Sequence, residues 1–366
     1  MKLNMDAATP TPTAETQTAL SPWQLFRRRL RRRKIAMTGG VILVFLYLAA
    51  LFAGFIAPYD YQRQDRARFF HPPIWPRWEH FRLVVPRYEK LPGDFVYREV
   101  PNDTRPLHFF IRGDKYRLFG LIPASLHLFG TGDTNYPVYL LGTDQFGRCV
   151  FSRLLYGSQI SLSIGVIGIL LSFSFGMIIG GIAGYFAGAT DTVLMRLCEL
   201  IMSIPALYLI ISLRGTFPPG MSSAQVYAMI VVILSFIGWA GMARVIRGMA
   251  LSLREQPFVL AARALGQTHL KVIARHILPN TFSYVIVAAT LNVPYYILGE
   301  VVLSFLGVGI QEPNASWGNM LTAAQNTEYL KNFPWLLAPG AAIFVTVLAF
   351  NFLGDGLRDA ADTKAQ

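Results

Sequence analysis

The feature that most constrains this chain is a series of apolar stretches long enough to cross a lipid bilayer. A membrane-spanning helix needs about 20 mainly apolar residues. Five stretches reach that length: Ile35 to Ala57, Ile160 to Tyr185, Val193 to Leu213, Val226 to Ala243 and Trp335 to Leu353. A sixth, Phe282 to Ile310, is longer and contains Pro294 and Gly299. The sequence therefore predicts an all-α polytopic membrane protein with about six transmembrane helices.

The N-terminal part of the chain sets the predicted orientation. Residues 1–20 are predicted to be a disordered tail, and residues 21–34 a basic amphipathic segment on the inner leaflet. The first transmembrane helix, 35–57, is too long for a signal peptide. Because cytoplasmic flanks carry excess Arg and Lys, the basic run before this helix places the N-terminus in the cytoplasm. Beside a spanning helix this orientation signal is the favoured explanation of the run; contact with membrane lipid is expected in addition, and no nucleic-acid partner is expected.

A polar segment, residues 58–157, follows the first helix and is too long for a plain loop. We predict a small strand-containing extracytoplasmic insert between the first two transmembrane helices. Within it, two β-like runs flank Gly113-Asp114, and this pair is expected to form a tight hairpin turn. The two cysteines, Cys149 and Cys198, are expected at different depths and therefore unpaired.

Residues 158–356 form the helical core, which is expected to contain about five transmembrane helices and a cytoplasmic loop over 244–280. On the first core helix, small residues recur at every fourth position and give one face for close helix packing: Gly168, Ser172, Gly176, Gly180 and Gly184. A cytoplasmic tail, 357–366, ends the chain.

The loop over 244–280 is basic and contains a short predicted helix. Pro257 suits the first turn of a helix, and Gly266 suits its end. Small alanines between them allow close approach by a partner, while Phe258 and Leu265 are able to fill a pocket. The alternative is a helix that only folds onto the underside of the bundle.

No catalytic or metal-binding pattern occurs in the sequence. The chain has no Gly-x-x-x-x-Gly-Lys-Ser/Thr phosphate loop, no Gly-x-Ser-x-Gly elbow and no His-Glu-x-x-His, and its six histidines are scattered. We predict that the protein is not an enzyme by itself, with no catalytic residue, no metal and no cofactor in this chain.

The loop resembles the Glu-Ala-Ala loop of ATP-binding cassette importer permeases. The similarity lies in Ala261-Ala262-x-x-x-Gly266 followed by Leu278-Pro279. Leu260 stands where that family has glutamate. His276-Ile277-Leu278-Pro279-Asn280 is similar to the dipeptide and oligopeptide permeases, as are the segments over 141–148, 152–157, 303–309 and 316–318. Cys149 and Gln159 depart from the residues common in that group. The long insert resembles that of the C-type permease subunit of the dipeptide/oligopeptide/nickel group.

This resemblance implies a fold of the importer permease type and a subunit that forms half of a translocation pore for peptides or related small solutes. It also implies the partners: a homologous second permease, two cytoplasmic ATPases that hold ATP and Mg²⁺, and an extracytoplasmic solute-binding protein. The location is the bacterial inner membrane, with both termini cytoplasmic. The residues implied in docking the ATPase are those of the coupling helix: Phe258, Leu260, Ala261, Ala262, Arg263, Ala264, Leu265 and Gly266.

Two residues of the sixth apolar stretch are candidates for the translocation path. A carboxylate at membrane depth, Glu300, needs a partner, water or a proton. Asn292 precedes Pro294, which is able to bend the helix and turn carbonyls toward a cavity. The alternative for Glu300 is a structural pairing with a neighbouring helix.

Two other classes of function stay open from the sequence. One is a secondary transporter or channel that uses an ion gradient through Glu300 and needs no ATPase, although the few intramembrane charges disfavour it. The other is a membrane anchor or assembly factor that transports nothing.

Overall fold

The computed structural model describes residues 22–361 except residues 80, 93, 94, 217 and 219. The predicted disordered tail, 1–20, and the last five residues of the predicted cytoplasmic tail lie outside the described residues. Within the described part the chain is mostly helical. Five helical segments there are long and apolar enough to cross a membrane: Lys34–Leu51, Val150–Phe186, Ser223–Leu253, His269–Phe305 and Pro334–Ala361.

Up to residue 149, the described elements are three helices and five strands. The helices are α1 (Pro22–Arg32), α2 (Lys34–Leu51) and α3 (Ala53–Ile56), and the strands are β1 (Arg77–Glu79), β2 (Arg82–Lys90), β3 (Tyr97–Pro106), β4 (His108–Leu118) and β5 (Ile122–Gly130). The remaining helices are α4 (Val150–Phe186), α5 (Gly188–Ser203), α6 (Ala206–Gly215), α7 (Ser223–Leu253), α8 (Pro257–Ala264), α9 (His269–Val272), α10 (Leu278–Phe305), α11 (Trp317–Met320), α12 (Thr327–Asn332) and α13 (Ala338–Ala361). A π-helical turn, Ile273–Ile277, joins α9 to α10.

The third predicted transmembrane stretch, Val193 to Leu213, is not one helix. It is divided between α5 and α6, which have 16 and 10 residues. The break falls at Ile204, whose backbone is extended with ψ of 124°. Pro205 follows, and a proline disfavours the helical conformation of the residue before it and donates no hydrogen bond itself. The described residues therefore contain five long apolar helices where the sequence predicted about six.

The small-residue face of α4 packs closely against α7. A Cβ atom at Gly176 would lie 2.8 Å from the carbonyl oxygen of Trp239, and one at Gly180 would overlap the carbonyl oxygen of Ala243. Only glycine lets the two backbones approach this closely, which is how helices associate where no hydrophobic effect drives them together. The predicted packing face is confirmed. On other sides of the bundle, α10 packs against α4 and α13, and α13 packs against α2.

The segment between α3 and α4 contains two antiparallel sheets. One has the order β1-β2-β3, with Arg77 opposite Val84 and Val84 opposite Pro106. The other pairs β4 with β5. Between the two sheets and the start of α4 lies a small apolar core that includes Ile74, Val85 and Val138. The helix α4 begins at Val150, seven residues before the predicted end of the insert.

The predicted turn at Gly113-Asp114 is wrong. These residues lie inside β4, where the pairing with β5 shifts register between Arg112 and Tyr116. The chain reverses instead at Phe119 and Gly120, which both have positive φ, 55° and 72°. The amide of Leu121 donates to the carbonyl of Leu118 at 3.1 Å. Positive φ at both central residues is typical of a type I′ turn, whose twist matches that of the two strands it joins. The turn therefore forms at Phe119 and Gly120 and not at Gly113-Asp114.

Three buried charged side chains and the partly exposed Glu312 hold the segment before α4 to the loop after α10. The guanidinium of Arg148 donates to Asp144 at 2.7 Å and to both carboxylate oxygens of Glu312. Arg153 is 1% exposed and donates to Glu312 at 3.1 and 3.2 Å. Buried charges persist only when paired in this way. The segment 141–148 is therefore fixed at the start of α4 by Asp144 and Arg148.

Candidate functional site

The loop between α7 and α10 folds as its sequence pattern predicts. Pro257 occupies the first turn of α8, and the helix stops because Gly266 has φ of +75°. The amide of Gly266 donates to the carbonyl of Arg263 at 2.9 Å, and the amide of Gln267 donates to the carbonyl of Ala262 at 3.2 Å. These two bonds form a Schellman cap, which satisfies the last carbonyls of the helix and needs a left-handed residue at the glycine position.

One side of α8 is anchored to the helix bundle. Val259 and Ala262 are buried in an apolar cluster with Tyr185, Ile273 and Ile277. These neighbours come from the end of α4 and from the π-helical turn that leads into α10. The alternative that α8 folds onto the underside of the bundle is thus correct for this side of the helix.

The other side of α8 is exposed and largely apolar. Leu265 is 82% exposed, and Phe258 and Leu260 keep 42% and 45% of their surface accessible. The remaining exposed members of the predicted coupling helix are Ala261, Arg263, Ala264 and Gly266. A cap and a buried anchor therefore hold a short helix with its apolar side outward, and such a surface is typical of a protein interaction site.

Two histidines near α8 stabilise the loop. The Nδ1 atom of His269 is hydrogen-bonded to the hydroxyl of Tyr185 at 2.8 Å, and Nε2 of His276 is hydrogen-bonded to the side-chain oxygen of Gln267 at 3.1 Å. Each ring thus has its own polar partner on a different element. Within the described ranges, no group of three or more His, Cys, Asp or Glu side chains is arranged to hold a metal ion.

An ion pair joins α5 to α7 near the end of the bundle where α8 packs. The guanidinium of Arg247 donates to both carboxylate oxygens of Asp191, with 2.8 Å between Nε and Oδ1. Bidentate pairing of this kind fixes direction as well as distance. A second, exposed ion pair joins Arg196 to Glu199 on α5 at 2.7 Å.

Glu300 is fully buried between α10 and α4. Its carboxylate accepts hydrogen bonds from the hydroxyls of Ser161 and Ser304, both at 2.7 Å. The Ser161 hydroxyl in turn accepts the amide of Trp317 at 3.2 Å. The carboxylate is thus integrated into the packing of α4, α10 and the segment that follows α10.

Asn292 lies on an open groove of about 490 Å³ between α4, α5, α7 and α10. Its side-chain amide donates to the carbonyl of Ala288 at 2.7 Å, one turn earlier on the same helix. Glu300 is not among the residues that line this groove, so the structure separates the two candidate path residues.

The groove contains residues that sequence reasoning missed. Tyr284, Tyr295, Tyr296 and Met202 line it, together with the glycines Gly238 and Gly241 of α7. None of the described residues that line it is charged. The adjacent Tyr295-Tyr296 immediately after Pro294 was the available signal, because polar-tipped aromatics in an apolar stretch need a hydrated or hydrogen-bonding neighbour.

The sequence matches the models of two known protein families. Residues 176–366 match the model of the binding-protein-dependent transport system inner membrane component, and residues 21–73 match the N-terminal TM domain of oligopeptide transport permease C. The chain belongs to the family of binding-protein-dependent transport system inner membrane components. The two matches together include α1, α2, α3, the last 11 of the 37 residues of α4 and every later element of this permease.

Three relatives extend the match over nearly the whole permease. It is 34% identical to the dipeptide transport system permease protein DppC of Bacillus subtilis over 92% of this chain and 84% of the relative. It is 31% identical to the oligopeptide transport system permease protein OppC of the same organism, over 94% and 91%. It is also 31% identical to the glutathione transport system permease protein GsiD of Escherichia coli, over 96% and 94%. The resemblance to C-type peptide permeases is confirmed.

Proposed function

We propose that this permease is the membrane-spanning subunit of an ATP-driven importer for peptides or related small solutes. It forms half of the pore with a homologous second permease, docks on two cytoplasmic ATPases and receives solute from an extracytoplasmic binding protein. Peptide transport is supported by the names of the relatives. In this proposal ATP and Mg²⁺ are bound by the partner subunits, the termini and α8 face the cytoplasm, and the insert faces outward.

The observation that carries the proposal is the two-sided packing of α8. Its buried residues, Val259 and Ala262, join it to the bundle, while Phe258, Leu260 and Leu265 remain exposed. A surface that only completes the fold would not need a rigid helix that leaves apolar side chains exposed outside the bundle. A surface that transmits force needs both an outer contact and an inner anchor, and α8 supplies both.

The anchor also suggests how movement of an ATPase would reach the membrane helices. A displacement of α8 acts through Val259 and Ala262 on the end of α4 at Tyr185 and on the turn that begins α10. The α5–α7 ion pair of Asp191 and Arg247 adds a further rigid connection. Close-packed helices move as bodies, so the bundle would tilt between two states and open the path to alternate sides.

The groove lined by Asn292, Tyr284 and Tyr295 is the part of the path that this subunit would contribute. It adjoins the α5–α6 break at Pro205, and its uncharged lining offers hydroxyl and amide groups together with apolar surface. Such a lining suits solutes with varied side chains, because it provides hydrogen bonds without favouring positively or negatively charged solutes. Selectivity would then rest mainly with the binding protein.

The test is a charge placed on the exposed side of α8. Leu265→Glu puts a carboxylate in the centre of the proposed contact and should lower both copurification of co-expressed ATPase subunits and solute-stimulated ATP hydrolysis in lipid vesicles by about tenfold, equivalent to about 1.4 kcal/mol of binding. The matched control is Leu121→Glu in the β4–β5 turn, where Leu121 is 83% exposed. This variant should behave as wild type.

A third variant addresses the missing glutamate of the family pattern. Leu260→Glu should change ATPase stimulation by no more than about twofold, because Phe258 and Leu265 keep the apolar contact. If no form copurifies with an ATPase, or if Leu265→Glu and Leu121→Glu are equally harmless, the importer proposal fails. A several-fold rise with Leu260→Glu would show that the docking contact is weakened by leucine at this position.

A further inference from the structure

Four arginines lie together on one side of α1, directly before the first membrane helix. Arg27, Arg28, Arg31 and Arg32 are all exposed and, with Gln24, line an open cleft of about 350 Å³. Their spacing places them on one arc of the helix, since neighbours on a helical face are three or four residues apart. In the part of the chain that the structure describes, none of the four forms an ion pair, whereas the adjacent Arg33 pairs with Asp359 at 3.2 Å.

The opposite side of α1 is fixed to the end of α13. Phe26 and Leu30 are half-buried there, and the Cδ1 atom of Leu30 lies 3.5 Å from the position that a Cβ of Gly356 would take. The Arg33–Asp359 ion pair adds a polar contact between the same two helices. The arginine cluster is therefore presented by a helix that tertiary contacts hold in place.

The cluster also lies at the boundary of the membrane-spanning region. The helix α2 begins at Lys34, two residues after Arg32, and its exposed apolar side chains start with Ile35, which is 65% exposed. Arginine side chains beside such a boundary reach the height of lipid headgroups. A cleft of four guanidiniums at that height matches a phosphodiester in charge and in its capacity for paired hydrogen bonds.

We propose that the cleft formed by Arg27, Arg28, Arg31 and Arg32 is a binding site for the phosphodiester headgroup of an anionic phospholipid of the inner leaflet. A positive-inside signal alone requires no fixed geometry, because any basic residue near the membrane serves it. Here, the charges converge on one cleft and are positioned by α13. The site rests on the orientation given under the proposed function but not on the docking of an ATPase.

The experiment compares lipids that differ only in headgroup. The full chain, purified with the subunits that accompany it, is delipidated and titrated with phosphatidylglycerol or phosphatidylcholine of identical acyl chains, and bound lipid is counted by native mass spectrometry. Wild type should prefer phosphatidylglycerol by about tenfold. The R27Q/R28Q/R31Q/R32Q variant should lose this preference, while the double variants R27Q/R31Q and R28Q/R32Q should each lose part of it.

The matched control removes the same charge from the insert. Arg82, Arg98, Arg112 and Arg117 are exposed and form no ion pair among the described residues, so R82Q/R98Q/R112Q/R117Q lowers the net charge equally. This control should keep the preference. The proposal is overturned if the α1 variants still prefer phosphatidylglycerol. This holds even if those variants no longer copurify with an ATPase. It is also overturned if control and α1 variants lose the preference alike, or if glycerophosphoglycerol without acyl chains competes as well as the lipid.

Lipid counting requires no ATPase, so the two proposals fail separately. If Leu265→Glu has no effect on ATPase copurification, the importer proposal is lost while the lipid titration still decides the role of the arginines. If the α1 variants bind lipid as wild type does, the lipid site is lost while the coupling test on α8 stands. Each glutamine variant is first checked for a monodisperse size-exclusion profile, and the double variants provide the answer if the quadruple variant fails this check.

Discussion

Glu300 shows how one side chain can connect several parts of a membrane bundle. Its carboxylate accepts from Ser161 and Ser304, and each of these hydroxyls also accepts a backbone amide, from Trp317 at 3.2 Å and from Ile310 at 3.0 Å. Hydroxyls that donate to one group and accept from another polarise each other, so the network depends on its central acceptor. This arrangement favours a structural role over a place on the solute path.

Two substitutions at Glu300 separate these roles. Glu300→Ala leaves both serine hydroxyls without their acceptor and opens a cavity, so we expect a loss of about 3 kcal/mol in stability and a lower thermal midpoint in detergent. Glu300→Gln retains the volume and one accepting oxygen, and it should change solute uptake little. Abolished uptake in a fully stable Glu300→Gln protein would instead indicate that a charge is needed for transport, as in a gradient-driven carrier.

His71 is a pH-sensitive residue of the insert. Its ring is buried among Tyr88, Tyr97 and Tyr139, and this burial lowers the pKa of His71 from 6.5 to about 4. Because the unfolded chain binds the proton more readily, the neutral form stabilises the fold above pH 6.5, and that stability is lost as the pH falls toward 4. The loss amounts to about 3 kcal/mol.

The expected result is a drop in hydrogen-exchange protection of the insert between pH 7 and pH 4.5, after correction for intrinsic exchange rates. The variant His71→Phe keeps an aromatic ring in the site and should flatten this dependence while leaving the exchange of α4 unchanged. An equal pH dependence in wild type and variant would assign the effect to other groups.

At the scale of elements, α4, α7 and α10 meet at Gly238 of α7. A Cβ atom there would overlap the hydroxyl of Tyr296 and lie 2.8 Å from the hydroxyl of Ser172. Neither hydroxyl has a hydrogen-bond partner in the described structure. Close packing at Gly238 therefore joins the three helices at this point.

Gly238→Ala should therefore destabilise the bundle by about 1–3 kcal/mol, the usual effect of overpacking. Gly248→Ala on the same helix is the control, since nothing lies within 4 Å of its added methyl group. The double variant Gly238→Ala/Tyr296→Phe removes the obstructing hydroxyl and should recover most of the loss. Thermal unfolding followed by intrinsic fluorescence measures all three, and equal midpoints for the two alanine variants would contradict the packing argument.

At the scale of the whole molecule, the apolar surface of α8 and the β4–β5 turn should lie on opposite sides of the membrane. Cys149 and Cys198 are both free and buried, so they should react little with added reagents. With both replaced by alanine, Leu121→Cys should react with a membrane-impermeant maleimide in intact spheroplasts. Leu265→Cys should react only after the membrane is broken. Labelling of both cysteines from outside would refute the proposed orientation.

The sequence determined the membrane class, the helical α8 with its ends and the close face of α4, because each depends on local features: apolar length, Pro257 and Gly266, and glycines four residues apart. The sequence could not locate the β4–β5 turn, because two positive φ values at Phe119 and Gly120 arise from strand twist and pairing. The sequence also predicted one span over Val193 to Leu213, because the mean hydropathy of the whole stretch does not show the helix break before Pro205.

Only the tertiary structure decided which polar groups meet. Glu300 and Asn292 are eight residues apart on one helix, yet one is enclosed by serines of α4 and α10 and the other lines an open groove. Arg148 and Arg153 share Glu312 across more than 150 positions. Contacts between distant segments depend on how the helices pack, and no local sequence pattern encodes that packing. The partners of these polar side chains therefore follow only from the tertiary structure.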